Sequence, residues 1–331
     1  MQKRASHYLQ FGSMPKGSKN SITDVPGVTV GHVTLVEGTA IRTGVTAVLP
    51  HQDNLFKHKV LASSAVINGF GKTTGLVQLQ ELGTLESPIM LTNTFSVPAV
   101  TEGTIQWLLE RNEEIGTSTG TVNVVVGECN DGYLNDIRGM HIRSHHAKEA
   151  IYNASAEVAE GCVGAGTGMS CMGYKGGVGT SSRKVGDGTL GVLVVSNFSQ
   201  SLDQQEPPGS IMMIVATDLR VNERQLHRIA KRTAFGLART GSTAHHGSGD
   251  IAIAFSTAHR TAHDQSEQVD NYSFLRDNDA IMNGIFDATA SATEEAIWNS
   301  LFAADSMTGR MGNKRLAITA EEAQKIRARF S

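Results

Sequence analysis

The sequence holds only three cysteines in 331 residues, Cys129, Cys162 and Cys171. That is neither an even disulfide set nor a C-x-x-C metal spacing, so a disulfide scaffold is excluded and a reducing compartment is indicated. No run of Lys or Arg exceeds two residues and the formal net charge is -3. The basic stripe of a nucleic-acid surface is therefore missing, and no nucleic-acid partner is expected. No apolar stretch approaches the roughly 20 residues of a membrane span, and no membrane partner is expected. Residues 1–21 are polar and carry no apolar h-region, so they do not read as a secretory signal and a cytoplasmic location is the expectation. The twelve histidines include no H-E-x-x-H, and the two adjacent pairs would point to opposite faces of a strand. No metal site and no cofactor are expected. A nucleotide loop is not supported either, because Lys175 is followed by Gly176 and Gly177 where a P-loop needs Ser or Thr.

What is abundant is glycine, 35 residues, beside 40% hydrophobic and 18% charged residues. This suits a compact fold with many tight turns. Short β-branched or apolar runs at 23–35, 45–49, 65–68, 88–92, 122–126, 191–196, 211–217 and 251–255 read as strands. Helical patterns fill 100–114, 147–160, 223–239, 279–303 and 320–329. Long helices beside many strands imply layered sheets covered by helices, and no linker divides the chain, so 1–331 is read as a single domain. The glycine tract at 161–183 is read as backbone that approaches a neighbour or ligand closely; Tyr174 and Lys175 could line a pocket there, the plainer reading being a surface loop.

Four places carry chemistry. The stretch His245-His246-Gly247-Ser248-Gly249-Asp250 sets a serine between glycines just before a strand-like run. There a hydroxyl can reach the carbonyl of the residue before it, and an N-to-O acyl shift with hydrolysis would leave Ser248 with a free α-amine. That amine, with a reference pKa of roughly 7.7 to 8.0, could serve as base to its own hydroxyl. The competing reading is a plain turn feeding a strand. Glu128 and Asn130 stand just past an apolar strand; a carboxylate there could hold a substrate ammonium, or be a solvated turn acid. Asn197, ending another strand, could aim its amide at an oxyanion or close an Asx turn. Thr293-Glu294-Glu295 lies inside the longest helical pattern, where Glu is usually solvated but a buried Glu could instead orient a nucleophile through a hydroxyl.

Together, these residues resemble the L-aminopeptidase D-amidase/D-esterase family, which includes the β-peptidyl aminopeptidases. The resemblance runs over most of the chain, through Asn20 to Val28 with Val30-Gly31-His32, Asn68-Gly69-Phe70-Gly71-Lys72, the 164–183 glycine tract, Gly247-Ser248-Gly249-Asp250 and Thr293-Glu294-Glu295-Ala296. It implies an α+β fold, a four-layer αββα sandwich similar to N-terminal nucleophile hydrolases but differently connected. It also implies a self-processing serine aminopeptidase, cut between Gly247 and Ser248 into segments 1–247 and 248–331. Carried over by residue, the nucleophile is Ser248, the ammonium-binding acid Glu128 and the oxyanion amide Asn197. Asn130 stands where some relatives have an aromatic hydroxyl. Thr293 and Glu295 match the pair that orients the nucleophile; a one-residue slip would choose Glu294, about 100° away on the helix, so only one can face the site. Substrates implied are small peptides, aminoacyl amides and esters, and the enzyme is expected as a homo-oligomer, a tetramer by resemblance. The rivals are an acyltransferase of the ornithine acetyltransferase type, which uses threonine where Ser248 stands, and a non-catalytic binding protein with an intact turn.

Overall fold

The computed structural model describes residues 4–199, 209–264 and 268–330. In chain order the strands are β1 (Thr29–Glu37), β2 (Ile41–Leu49), β3 (His58–Gly69), β4 (Thr84–Leu85), β5 (Ile89–Asn93), β6 (Val125–Cys129), β7 (Ser170–Cys171), β8 (Tyr174–Lys175), β9 (Gly177–Val185), β10 (Gly188–Asn197), β11 (Ser210–Thr217), β12 (Gly249–Ala262), β13 (Met307–Thr308) and β14 (Lys314–Arg315). The helices are α1 (Leu76–Leu82), α2 (Val97–Leu109), α3 (Ser144–Tyr152), α4 (Glu223–Ala238), α5 (Asp279–Phe302) and α6 (Ala320–Arg327).

Two sheets organise them. The smaller has the order β1-β2-β5-β6 and the larger β4-β3-β12-β11-β10-β9. Most neighbours are antiparallel; β5 with β6 and β11 with β12 are parallel. Because side chains alternate across a strand, each sheet feeds two cores. Val30, Val48, Leu91 and Val125 of the smaller sheet meet Leu193, Met212, Ile214 and Ile253 of the larger one. On its other face the smaller sheet packs Val45, Ala47 and Met90 against Val100 and Trp107 of α2 and Ala147 and Ile151 of α3. The larger sheet packs Val192, Val194 and Met213 against Leu226 and Ile229 of α4 and Ile297 and Trp298 of α5. The result is helix, sheet, sheet, helix, the αββα sandwich.

Local chemistry explains the boundaries. Helix α4 begins where the Asn222 side chain accepts from the Gln225 N–H, with Gln225 reaching back to the Asn222 N–H. Asn278 caps α5 by accepting from Ala280. The strand expected at 23–35 starts later, because Ser21 and Asp24 form a capping box that winds Ile22–Asp24 into a 3₁₀ turn before β1.

The glycine tract differs most from its sequence reading. Its second half is β9, a strand whose residues are almost all buried. A Cβ at Gly179 would stand 2.0 Å from the Ala296 carbonyl oxygen, so only glycine lets α5 lie this close. Lys175, read as lying on a surface loop, is fully buried. Its ammonium donates to the Gly166 and Gly176 carbonyls at 3.0 and 2.7 Å, while burial pushes its pKa down.

Candidate active site

Strands β10, β11, β12 and β3 bring Asn197, Ser210, Ser248 and Asn68 to one end of the larger sheet. Asn197 pairs with Ser210, and Gly249 donates its N–H to Ser210 Oγ at 3.1 Å. Gly249 also faces Gly69 across the antiparallel β12–β3 pair. Ser248 itself follows a tight turn, its N–H donating to the His245 carbonyl at 2.8 Å. The Asn68 amide clamps this turn by donating to His245 O at 2.8 Å, to His246 O at 3.1 Å and to Ser248 O.

The Ser248 hydroxyl is buried and donates to Asp250 Oδ1 at 2.6 Å. Residues two apart in extended chain share a face, which brings this carboxylate under its serine. Asp250 Oδ2 has no hydrogen-bond partner, although the Ile211 N–H is near enough to favour the charged form. Burial pushes the Asp250 pKa up to about 6, against the opposing pull of the Ser248 hydroxyl and the charge of His245. A carboxylate poised this way can take a proton from the hydroxyl it holds.

Glu128 is reached through the segment that leaves β3. Phe70 N–H donates to Ser248 O at 3.2 Å, and two residues later Lys72 N–H donates to Glu128 Oε1 at 2.8 Å. A Cβ at Gly71 would sit 3.4 Å from Glu128 Oε1 and 3.6 Å from Gly249 Cα. Acid and nucleophile segment are thus no farther apart than those two distances combined. The other carboxylate oxygen of Glu128 accepts from Thr94 Oγ1. Glu128 is buried, and these contacts hold it in a fixed position at the end of β6 rather than leaving it in a solvated turn.

Asn197 is also fixed. Its Oδ1 accepts from Ser170 N–H and its Nδ2 donates to the Asn130 carbonyl, both at 2.9 Å. One Nδ2 hydrogen is left over for another acceptor. Asn130 turns its own Oδ1 to Gly132 N–H at 2.9 Å. Cys129 is fully buried, and desolvation holds its thiol well above the usual range, so it is no nucleophile.

Thr293 and Glu295 lie elsewhere. The Thr293 hydroxyl donates to the Thr289 carbonyl at 2.8 Å, and a Cβ at Gly236 would meet its Cβ at 2.6 Å, which places it in the α4–α5 contact. Glu295 accepts from Lys16 Nζ at 2.7 Å and Asn20 Nδ2 at 2.8 Å. Its Oε2 stands 2.7 Å from Arg183 Nη2, near enough for an ion pair although the angle misses hydrogen-bond geometry. Glu294 pairs with Arg327 at 2.9 Å. The hydrogen bond to the Ser248 hydroxyl comes from Asp250, a residue that sequence reasoning quoted without assigning it a role. Asn68, too, had only its place in the Asn68-Gly69-Phe70-Gly71-Lys72 motif as a signal.

Among the described residues no group of three or more His, Cys, Asp or Glu could hold a metal ion. No helix among them is long and apolar enough to cross a membrane.

A helix-covered double sheet with a serine leading a strand of the larger sheet defines the class of N-terminal nucleophile hydrolases. Within it, residues 20–315 match Peptidase family S58, and the chain belongs to that family. It is 39% identical over 349 aligned positions to the beta-peptidyl aminopeptidase of Sphingosinicella microcystinivorans, covering 92% of this chain and 86% of that protein. A solved protein of Pyrococcus horikoshii OT3 superposes with a TM-score of 0.92 at 47% identity over 99% of both chains. The L-aminopeptidase D-Ala-esterase/amidase of Ochrobactrum anthropi, described as a variant of the N-terminal nucleophile hydrolase fold, superposes with a TM-score of 0.90 at 31% identity over 99% of both chains. The chain is therefore an enzyme, and the aminopeptidase reading stands over the acyltransferase and the non-catalytic scaffold.

Proposed function

We propose that the chain is made as a precursor, cuts itself between Gly247 and Ser248, and then acts as an aminopeptidase with Ser248 as nucleophile. The observation that carries this is the buried hydroxyl of Ser248 held 2.6 Å from Asp250 Oδ1, directly after a glycine in a tight turn.

In the first step Asp250 takes the Oγ proton as Oγ bonds to the Gly247 carbonyl carbon. The carbon–nitrogen bond then breaks, and the same proton passes to the Ser248 nitrogen. The ester that joins Gly247 to Oγ is hydrolysed by water, which leaves a carboxylate on Gly247 and a free α-amine on Ser248. Segments 1–247 and 248–331 remain one fold, since β12 lies between β3 and β11, both from the first segment.

The new amine has a reference pKa of roughly 7.7 to 8.0 and serves as base in turnover. Substrate places its ammonium on Glu128, which Lys72 N–H and Thr94 hold in place without neutralising it. Ser248 Oγ attacks the first carbonyl, and the remaining Asn197 N–H faces the oxyanion. An acyl-enzyme forms, the amine protonates the leaving group, and water completes the cycle. Short peptides, aminoacyl amides and aminoacyl esters fit this scheme.

Intact mass under denaturing conditions tests the reading. Wild-type protein should give two chains, the smaller beginning at Ser248, and Ser248→Ala should stay whole and inactive. A single full-length species with aminopeptidase activity would refute it.

A further inference from the structure

Beside the site lies a cavity of about 530 Å³ whose wall includes Asn130, Asn197, Arg138, Arg310 and Arg315. Among the described residues no carboxylate lines it. Arg310 Nε is buried and has no hydrogen-bond partner among the described residues. Leaving a guanidinium N–H dry and unmatched is costly, so the geometry asks for an acceptor brought by a ligand. The Arg315 guanidinium lies 4.1 Å over the Tyr133 ring, while the exposed rings of Phe95 and Tyr133 offer apolar faces. With Arg315 engaged by the Tyr133 ring and the Gly173 carbonyl, the cavity offers a ligand the guanidiniums of Arg138 and Arg310. It is a place for a planar anion, which arginine binds with two parallel N–H bonds.

Its position says which anion. Phe95 follows Thr94, the hydroxyl donor to Glu128, and Asn130 comes two residues after Glu128. Glu128 is thus flanked, through Thr94 and through its own strand, by residues that line this cavity. We propose that the cavity is a subsite for a carboxylate carried by the substrate, so that peptides with a carboxylate close to the scissile bond are preferred. This rests on the aminopeptidase reading above. Two sources share the chemistry: the C-terminal carboxylate of a dipeptide and the side chain of an acidic N-terminal residue.

The test uses the processed wild-type enzyme, Arg310→Gln and Arg138→Gln, with Arg138 exposed and thus a substitution that leaves the core untouched. Alanyl-alanine is compared with alanyl-alanine amide, and an aspartyl with an asparaginyl anilide. Wild type should favour one acid over its amide by at least about tenfold in kcat/KM, mainly through KM, as expected for one charge-assisted contact. The pair showing the preference identifies the source. Arg310→Gln should collapse that ratio towards one, and Arg138→Gln should reduce it. Equal kcat/KM for acid and amide in both pairs, or a ratio unchanged in both variants, would overturn the proposal. Calorimetric binding of alanyl-alanine and its amide to the same preparations decides the subsite even without turnover. An enzyme that prefers the acid in binding but cleaves nothing would refute the aminopeptidase reading and keep the subsite.

Discussion

Asp250 and Glu295 are both carboxylates with no exposed surface, yet their surroundings are opposite. Glu295 sits between Lys16 and Arg183, at 2.7 Å from each, with Asn20 at 2.8 Å. Asp250 makes no ion pair of that kind; it accepts from a serine hydroxyl and leaves its second oxygen without a hydrogen-bond partner. A buried acid matched by two cations has its charge spoken for and serves the fold. A buried acid bonded to a hydroxyl and held in no ion pair is raised in pKa by burial, to about 6 here, and can accept that hydroxyl's proton near neutral pH. Burial alone does not mark a catalytic carboxylate; what faces it does.

The comparison breaks first on stability. Glu295→Gln strips the counter-charge from Arg183, whose side chain is wholly buried, and should cost about 3–5 kcal/mol. Denaturant unfolding in a Ser248→Ala background, where the chain stays single, measures it. A loss under about 1 kcal/mol would show that Glu295 is not the fold's carboxylate.

Glu128 extends the contrast, because its two hydrogen bonds fix its place while leaving its charge for a ligand. Glu128→Gln should lower kcat/KM for free-amine substrates by roughly 10- to 150-fold. Self-cleavage should persist, since the bond after Gly247 lies in mid-chain and presents no ammonium. Wild-type rates on free-amine amides would place the ammonium elsewhere.

The proton itself gives a third test. Asp250 must be ionised to act as base, so its raised pKa means that lowering the pH through about 6 removes the reactive form. Conversion of freshly folded precursor should be level above neutral pH and slow by about tenfold per unit below 6. A rate unchanged at pH 5 would exclude Asp250.

The smallest effect concerns the arm before the cut. Ala244 has φ of 53°, a left-handed conformation that favours glycine. Ala244→Gly should stabilise the uncut Ser248→Ala chain by up to about 1 kcal/mol, read from its unfolding midpoint. A destabilised chain would mean that the arm is not strained.

The strands at 45–49, 211–217 and 251–255 were legible as short apolar or β-branched runs, and helix α4 because its apolar residues fall on one face. Strand β9 was not, since a strand wedged under α5 is built from Gly, Ser and Thr and shows no hydrophobic alternation. The same lack of signal hid Lys175, whose burial depends on carbonyls that only the folded glycine loop supplies. Ser248, Glu128 and Asn197 could be picked out because each follows or precedes an apolar run, where loops collect at sheet ends. The partner of Glu295 could not, as Arg183 is remote in sequence and meets it only through the β9–α5 contact. Asp250 was visible as a letter, but its role depends on a 2.6 Å contact that no spacing rule reveals.

The most direct measurement is the conversion of purified precursor followed by intact mass for Asp250→Asn and Glu295→Gln side by side at neutral pH. We expect Asp250→Asn to remain folded and uncut, slowed by about 10²- to 10⁴-fold, while the Glu295→Gln molecules that fold convert at nearly the wild-type rate. A folded Glu295→Gln that stays whole, beside an Asp250→Asn that cuts normally, would contradict the account.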